Sequence, residues 1–96
     1  MSFDIKIDKI GFTKAIMISD AEMFINEAFN KYHPGDHQCA AFISNQMEKK
    51  YEGKWNCFVF PDSNGSSQWY AELWIRFIVT GDSLGNENYH VVIFKQ

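Results

Sequence analysis

Imidazole and thiolate groups are the side chains that most readily bind metals or serve as bases and nucleophiles. The chain has three His and two Cys, at His33, His37, Cys39, Cys57 and His90. Their spacing matches no zinc-ligand pattern, and Pro34-Gly35 breaks the helical i,i+4 relation that would bring His33 beside His37. No Cys/His pair carries a local nucleophile signature. The Asp and Glu residues are scattered and form no recognisable frame of paired carboxylates. The expectation is therefore two core thiols, surface histidines, no catalytic residue, no metal and no cofactor.

The chemistry that the sequence does offer is that of the main chain. Residues Ser66 to Thr80 read SSQWYAELWIRFIVT, with neither Pro nor Gly and with many aromatic and β-branched side chains. Such residues suit a pleated, half-buried surface. Trp69, Ala71, Leu73, Ile75, Phe77 and Val79 are all apolar, whereas the alternate set Gln68, Tyr70, Glu72, Trp74, Arg76 and Ile78 is mixed. A period of two turns one set to a core and the other to water or a partner. The stretch is long for one strand, so a break near Ala71–Leu73 is expected. A first half projecting from the domain would present N–H and C=O groups for another chain to pair with.

The remaining elements carry that strand. Phe3, Ile5 and Ile7 alternate with Asp4, Lys6 and Asp8, as in an amphipathic edge strand that Gly11 ends. Met17, Ala21, Phe24, Ile25, Ala28, Phe29 and Tyr32 fall on one stripe of a helix. Its start is either Thr13 as N-cap or the rival capping box of Ser19 and Glu22. His33-Pro34-Gly35 stops it. Asp36 is placed to cap a second helix with the stripe Cys39, Phe42, Ile43, Met47 and Tyr51, Lys49 and Lys50 in its last turn, and Gly53 as its C′ residue. Trp55–Phe60 (WNCFVF) has few polar residues, which suggests a strand covered on both faces. Turn residues 61–65, the long strand region, a polar loop over 81–88 and a last strand at Tyr89–Lys95 complete one domain, 1–96. The class is α+β: strand, two antiparallel helices, then four strands, with the helices on one face of an antiparallel sheet.

Composition limits what such a domain does. Apolar residues are 46% and aromatics 17% of the chain, enough for a Phe- and Trp-rich core and against disorder. The net charge of −3 and the lack of a basic block disfavour nucleic acid as a partner. No apolar run approaches the ~20 residues of a membrane span. The sequence MSFDIKIDKIG has no signal-peptide pattern, so reduced thiols and a cytosolic location are expected.

The element order, with AAFISNQMEKKYEGKWNCFVF in the middle and VVIFK near the end, resembles the eight-kilodalton cytoplasmic dynein light chains. The residues that carry the likeness are Lys31-Tyr32, Ala40-Ala41, Ile43, Lys49-Lys50-Tyr51, Trp55, Cys57, Val59, Gly65-Ser66, Gly81 and Phe94-Lys95, with Met17 and Asp20 in register. The resemblance implies a non-catalytic, strand-exchanged homodimer acting as a protein-binding hub in the cytoplasm, associated with the cytoskeleton. Each protomer lends Ser66–Glu72 to its partner's sheet, and extended peptide segments, the dynein intermediate chain among them, add as further strands. By position, Ser66, Ser67, Gln68, Trp69 and Tyr70 pair with peptide, and His37 and Gln38 stand at the N-terminus of the helix that closes the groove. Ile75, Phe77 and Val79 line the groove floor, and Trp55, Asn56, Ser67, Trp69 and Tyr70 meet the second protomer.

The departures from the family pattern also carry weight. The family has His at Asn56, Tyr at Ser67, Thr at Trp69 and His at Tyr70, and this chain has insertions before Gly65 and at Asp82–Glu87. The pH switch that the family's histidine provides is not expected with Asn56. Divergent copies of this module occur at the C-terminus of EF-hand calcium-binding proteins of the flatworm tegument. The alternative is therefore a dimerisation domain of a larger calcium-binding protein whose peptide grooves are altered or unused. The chain itself contains no EF-hand loop.

Overall fold

The computed structural model describes residues 3–11, 14–61, 73–85 and 87–95. They form β1 (Asp4–Ile10), α1 (Ala15–Lys31), α2 (His37–Lys50), β2 (Trp55–Pro61), β3 (Leu73–Thr80) and β4 (Tyr89–Lys95), with a single 3-10 turn at Asp82–Leu84 between β3 and β4. The sheet order is β1-β3-β4-β2 and every pairing is antiparallel. This is the α+β class read from the sequence. The further strand expected over Ser66–Glu72 lies outside the described residues.

The period-two pattern sorts the sheet into two faces. Ile75, Phe77 and Val79 of β3, Val91 and Ile93 of β4 and Trp55 of β2 join Ala21, Phe24, Ile25, Ala28 and Phe29 of α1 and Cys39, Ile43 and Met47 of α2 in one buried cluster. Fully burying an apolar side chain of this size stabilises by about 1.5–3 kcal/mol. Both helices therefore lie on one face, held there by the stripes that the sequence shows. The alternate residues form the helix-free face: Asn56, Phe58 and Phe60 of β2, Trp74, Arg76 and Ile78 of β3, and His90, Val92 and Phe94 of β4.

Helix ends depart from the simplest expectations. α1 starts at Ala15 with Lys14 as N-cap, so Ser19 and Glu22 lie inside the helix and form no capping box; Thr13 is outside the described residues. Asp36 occupies the N-cap position of α2 but makes no side-chain capping bond. The C-cap is Tyr51, and Gly53 sits one position beyond C′, at φ +104°, a conformation that favours glycine. Gly11 follows the last residue of β1, and a Cβ there would collide with the Trp74 indole.

A polar clamp joins the helices. Tyr51 donates its hydroxyl to Asp20 Oδ2, and Lys50 Nζ lies 3.0 Å from Asp20 Oδ1. Asp20 is buried on α1, while both partners come from the C-terminal end of α2. The Tyr51 bond, then Lys50, holds the Asp20 carboxyl below its usual range, and burial together with Asp20 pushes the Tyr51 hydroxyl up to about 12.

β2 differs from its expected setting. Among the described residues it pairs with β4 alone and is an edge of the sheet. Phe58 is 43% exposed, so the strand is not covered on both faces. Its apolar composition has another source: Trp55, Cys57 and Val59 pack against the helices, while Phe58 and Phe60 sit on the helix-free face, where Phe58 stacks on Phe94 at 5.7 Å.

Candidate functional site

The outer edge of β2 borders a groove of about 500 Å³. One wall is the N-terminal half of α2 and the turn before it, from Pro34 to Ser44; the other is Asn56–Val59. His37, Ala40, Ala41 and Ser44 are spaced i, i+3, i+4 and i+7, which makes a second stripe on α2 beside the core stripe of Cys39, Ile43 and Met47. Its residues are small apart from His37, so the helix surface stands back from the strand. Ser44 turns its hydroxyl onto its own helix, donating to the Ala41 carbonyl at 3.1 Å.

The tight turn before α2 determines which groups face the groove mouth. His33 Nδ1 accepts from the Gly35 N–H at 3.0 Å, and Asp36 N–H donates to the His33 carbonyl at 2.9 Å. The first turn of α2 carries no side-chain cap from Asp36, and the helix N-terminus gives that end of the groove a positive dipole. Asp36 and His37, both exposed, stand beside it. Cys57 faces both groove and core. Burial pushes its thiol well above the ordinary range, and burial pushes Cys39 up to about 11. Both are free thiols, and neither is placed as a nucleophile. Among the described residues no group of three or more His, Cys, Asp and Glu is arranged to hold a metal ion. Within the same set, no helix is long and apolar enough to cross a membrane.

The site residues read from the sequence separate into several groups. His37 and Asn56 line the groove, on opposite walls. Gln38 is exposed on the first turn of α2 but is not part of the lining. Ile75, Phe77 and Val79, expected on the groove floor, are at most 2% exposed and belong to the core beneath the helices. The odd residues of β3 face the helices, and β4 separates β3 from β2. Trp55, expected at the interface with a second protomer, is buried in the chain's own core, with its indole N–H donating to the Glu52 carbonyl at 3.3 Å. Ser66, Ser67, Gln68, Trp69 and Tyr70 lie outside the described residues. His90 was expected on the surface with the other histidines. It is buried, because it sits on an inner strand and stacks on Phe60 at 5.3 Å. Sequence reasoning passed over Ala41, Ser44, Phe58 and Val59 as groove residues. The signal for the helix wall was present as small residues at i, i+3 and i+4 spacing.

No family model matches the chain, and no curated protein matches it. Among solved structures, it is similar to the dynein light chain-like domain of the Fasciola hepatica calcium binding protein FhCaBP2. The TM-score is 0.68 at 17% identity, over 100% of this chain and 95% of that one. The fold is therefore that of a dynein light chain-like domain.

Proposed function

We propose that the chain is a non-catalytic protein-interaction module that works as a homodimer and captures extended peptide segments by β-strand addition. The groove beside β2, which pairs with β4 alone among the described residues, is the observation that carries this reading, because an added strand needs a sheet margin to join and room beside it. In this arrangement Ser66–Glu72 of one protomer pairs with β2 of the other, and the peptide adds along Ser66–Tyr70. His37 and Gln38 at the α2 N-terminus receive a polar peptide side chain. Asn56, Phe58 and the rest of the helix-free face meet the second copy. The fold likeness supports the same reading, with the dynein intermediate chain as a candidate peptide source and a cytoplasmic, cytoskeleton-associated setting.

The test has two parts. Sedimentation equilibrium should give a dimer at micromolar concentration; a monomer would defeat the exchange. Peptides selected from a random display library should shift the amide resonances of Asn56–Val59 and of α2's first turn, and selection of no binder there would defeat peptide capture.

A second reading keeps the dimer without an open groove, as a dimerisation domain of a larger calcium-binding protein. Trp69, where the family has Thr, and the likeness to a domain of FhCaBP2 favour it. The Trp69→Thr variant separates the two in a fluorescence titration with the selected peptides. Gain of binding means that the indole closes the groove, and loss means that it is a contact.

A further inference from the structure

We propose that His90 and Arg76 form an acid-sensitive lock on the helix-free face of the sheet. The lock takes one residue from each strand: Asp8 of β1, Arg76 of β3, His90 of β4 and Phe60 of β2. Arg76 and His90 are 7% and 6% exposed, and with Asp20 they are the buried polar side chains among the described residues. Arg76 Nε–H donates to His90 Nδ1 at 3.1 Å. Asp8 Oδ2 lies 3.4 Å from the same Nε, on a strand whose register shifts between Ile7 and Lys9. The Phe60 ring stacks on His90 at an interplanar angle of 6°, and the Arg76 guanidinium carbon lies 5.6 Å from the same ring. Neither group takes part in lining the groove.

The Arg76–His90 bond exists in one protonation state only. A neutral imidazole protonated at Nε2 offers Nδ1 as an acceptor, whereas a doubly protonated imidazole has two donors and no acceptor. Proton uptake therefore removes the bond and sets a second positive charge against the guanidinium in a site with little water to screen it. On β1, Asp8 is held on Arg76, Lys9 is the register partner of Arg76, and the Lys6–Asp4 pair at 3.7 Å lies farther along the strand. β2 contributes Phe60 and Asn56, which carry no charge. Acid thus forces Arg76 or His90 out of its place and takes from Phe60 one of the two groups packed on its ring. Phe60 belongs to the edge strand that borders the groove, so the effect reaches the face that the proposed dimer uses; this last link alone rests on that reading.

The test is urea unfolding of the full chain and of His90→Gln, whose amide oxygen still accepts a bond but takes up no proton, from about pH 8 to about pH 5. Relative to H90Q, the wild-type folded-to-unfolded ratio should fall as pH is lowered across this range, by at most the factor of about ten per pH unit that one proton taken up on unfolding allows. Parallel profiles would overturn the lock. Imidazole nitrogen shifts of the wild type at neutral pH should report the Nε2–H tautomer for His90, and a doubly protonated ring there would overturn it even if H90Q does not fold. Sedimentation at both ends of the range tests the link to association. A neutral-pH dimer that dissociates in acid supports it, while a monomer throughout refutes the dimer and leaves the unfolding profiles to decide the lock.

Discussion

Phe77→Ala separates a core role from a groove role at the centre of β3. Phe77 is 0% exposed, pairs with Ile7 on one side and Val91 on the other, and faces the helices. Removing its ring costs the lost transfer free energy plus the cavity left behind, which for a Phe in such a site is about 3–5 kcal/mol. A domain of 96 residues has roughly 5–14 kcal/mol in all, at about 0.05–0.15 kcal/mol per residue. The variant should therefore lose about a fifth of its stability or more. Since each kcal/mol moves Tm by about 4–8 °C at this size, Tm should fall by more than about 10 °C. Urea unfolding at fixed pH with wild-type slope measures the loss, and calorimetry gives Tm. If Phe77 lined the groove floor instead, the substitution would change peptide capture and leave stability within about 1 kcal/mol. That outcome would refute the assignment of β3's odd residues to the core.

Other perturbations test other parts of the molecule. Ala41→Glu places a long charged side chain in the groove from an exposed helix position, so stability should stay within about 0.5 kcal/mol while binding of selected peptides is lost. Asp20→Asn should destabilise the helix pair. In the wild type the Asp20 contribution is complete above the ordinary Asp value near 3.9 and is lost as pH falls through the lowered folded value. The Tyr51 contribution is complete below about pH 10 and is lost as pH rises toward 12. Urea midpoints of the two proteins should therefore converge at both extremes, and a constant offset across pH would contradict the clamp. Cys39 and Cys57, with thiols pushed up by burial, should react slowly with iodoacetamide at pH 8 in the folded chain and at ordinary rates in urea. Equal rates in both states would show that neither is sheltered.

Much of the fold can be read from side-chain periodicity. The stripe from Ala21 to Phe29, the stripe from Cys39 to Met47 and the alternation of Ile75, Phe77 and Val79 each mark a face that needs covering, and the structure buries those faces together. The ends of elements were harder to read, because capping is decided by one or two local bonds. Asp36 holds the N-cap position without making the bond that recommended it, and Ser19 with Glu22 lies inside a helix whose earlier residues Met17 and Ile18 pack on the core. β2 was misjudged for a related reason. An apolar strand reads as buried on both faces, yet Phe58 and Phe60 lie on the helix-free face of a strand that, among the described residues, pairs with β4 alone.

Local order along the chain is enough to determine which residues seek a core, because a helix or strand repeats its facing side chains at a period that the covalent chain itself sets. It also marks Ser66–Glu72 as strand material and shows no frame for catalysis or metal binding. Strand order is another matter. Only the folded sheet puts β2 at the margin of the described strands, sets the small-residue stripe of α2 across from Asn56–Val59, and brings Asp8, Arg76, His90 and Phe60 together from four different strands. Those neighbours are remote in sequence, and no periodicity within one element encodes which other element will come to lie beside it.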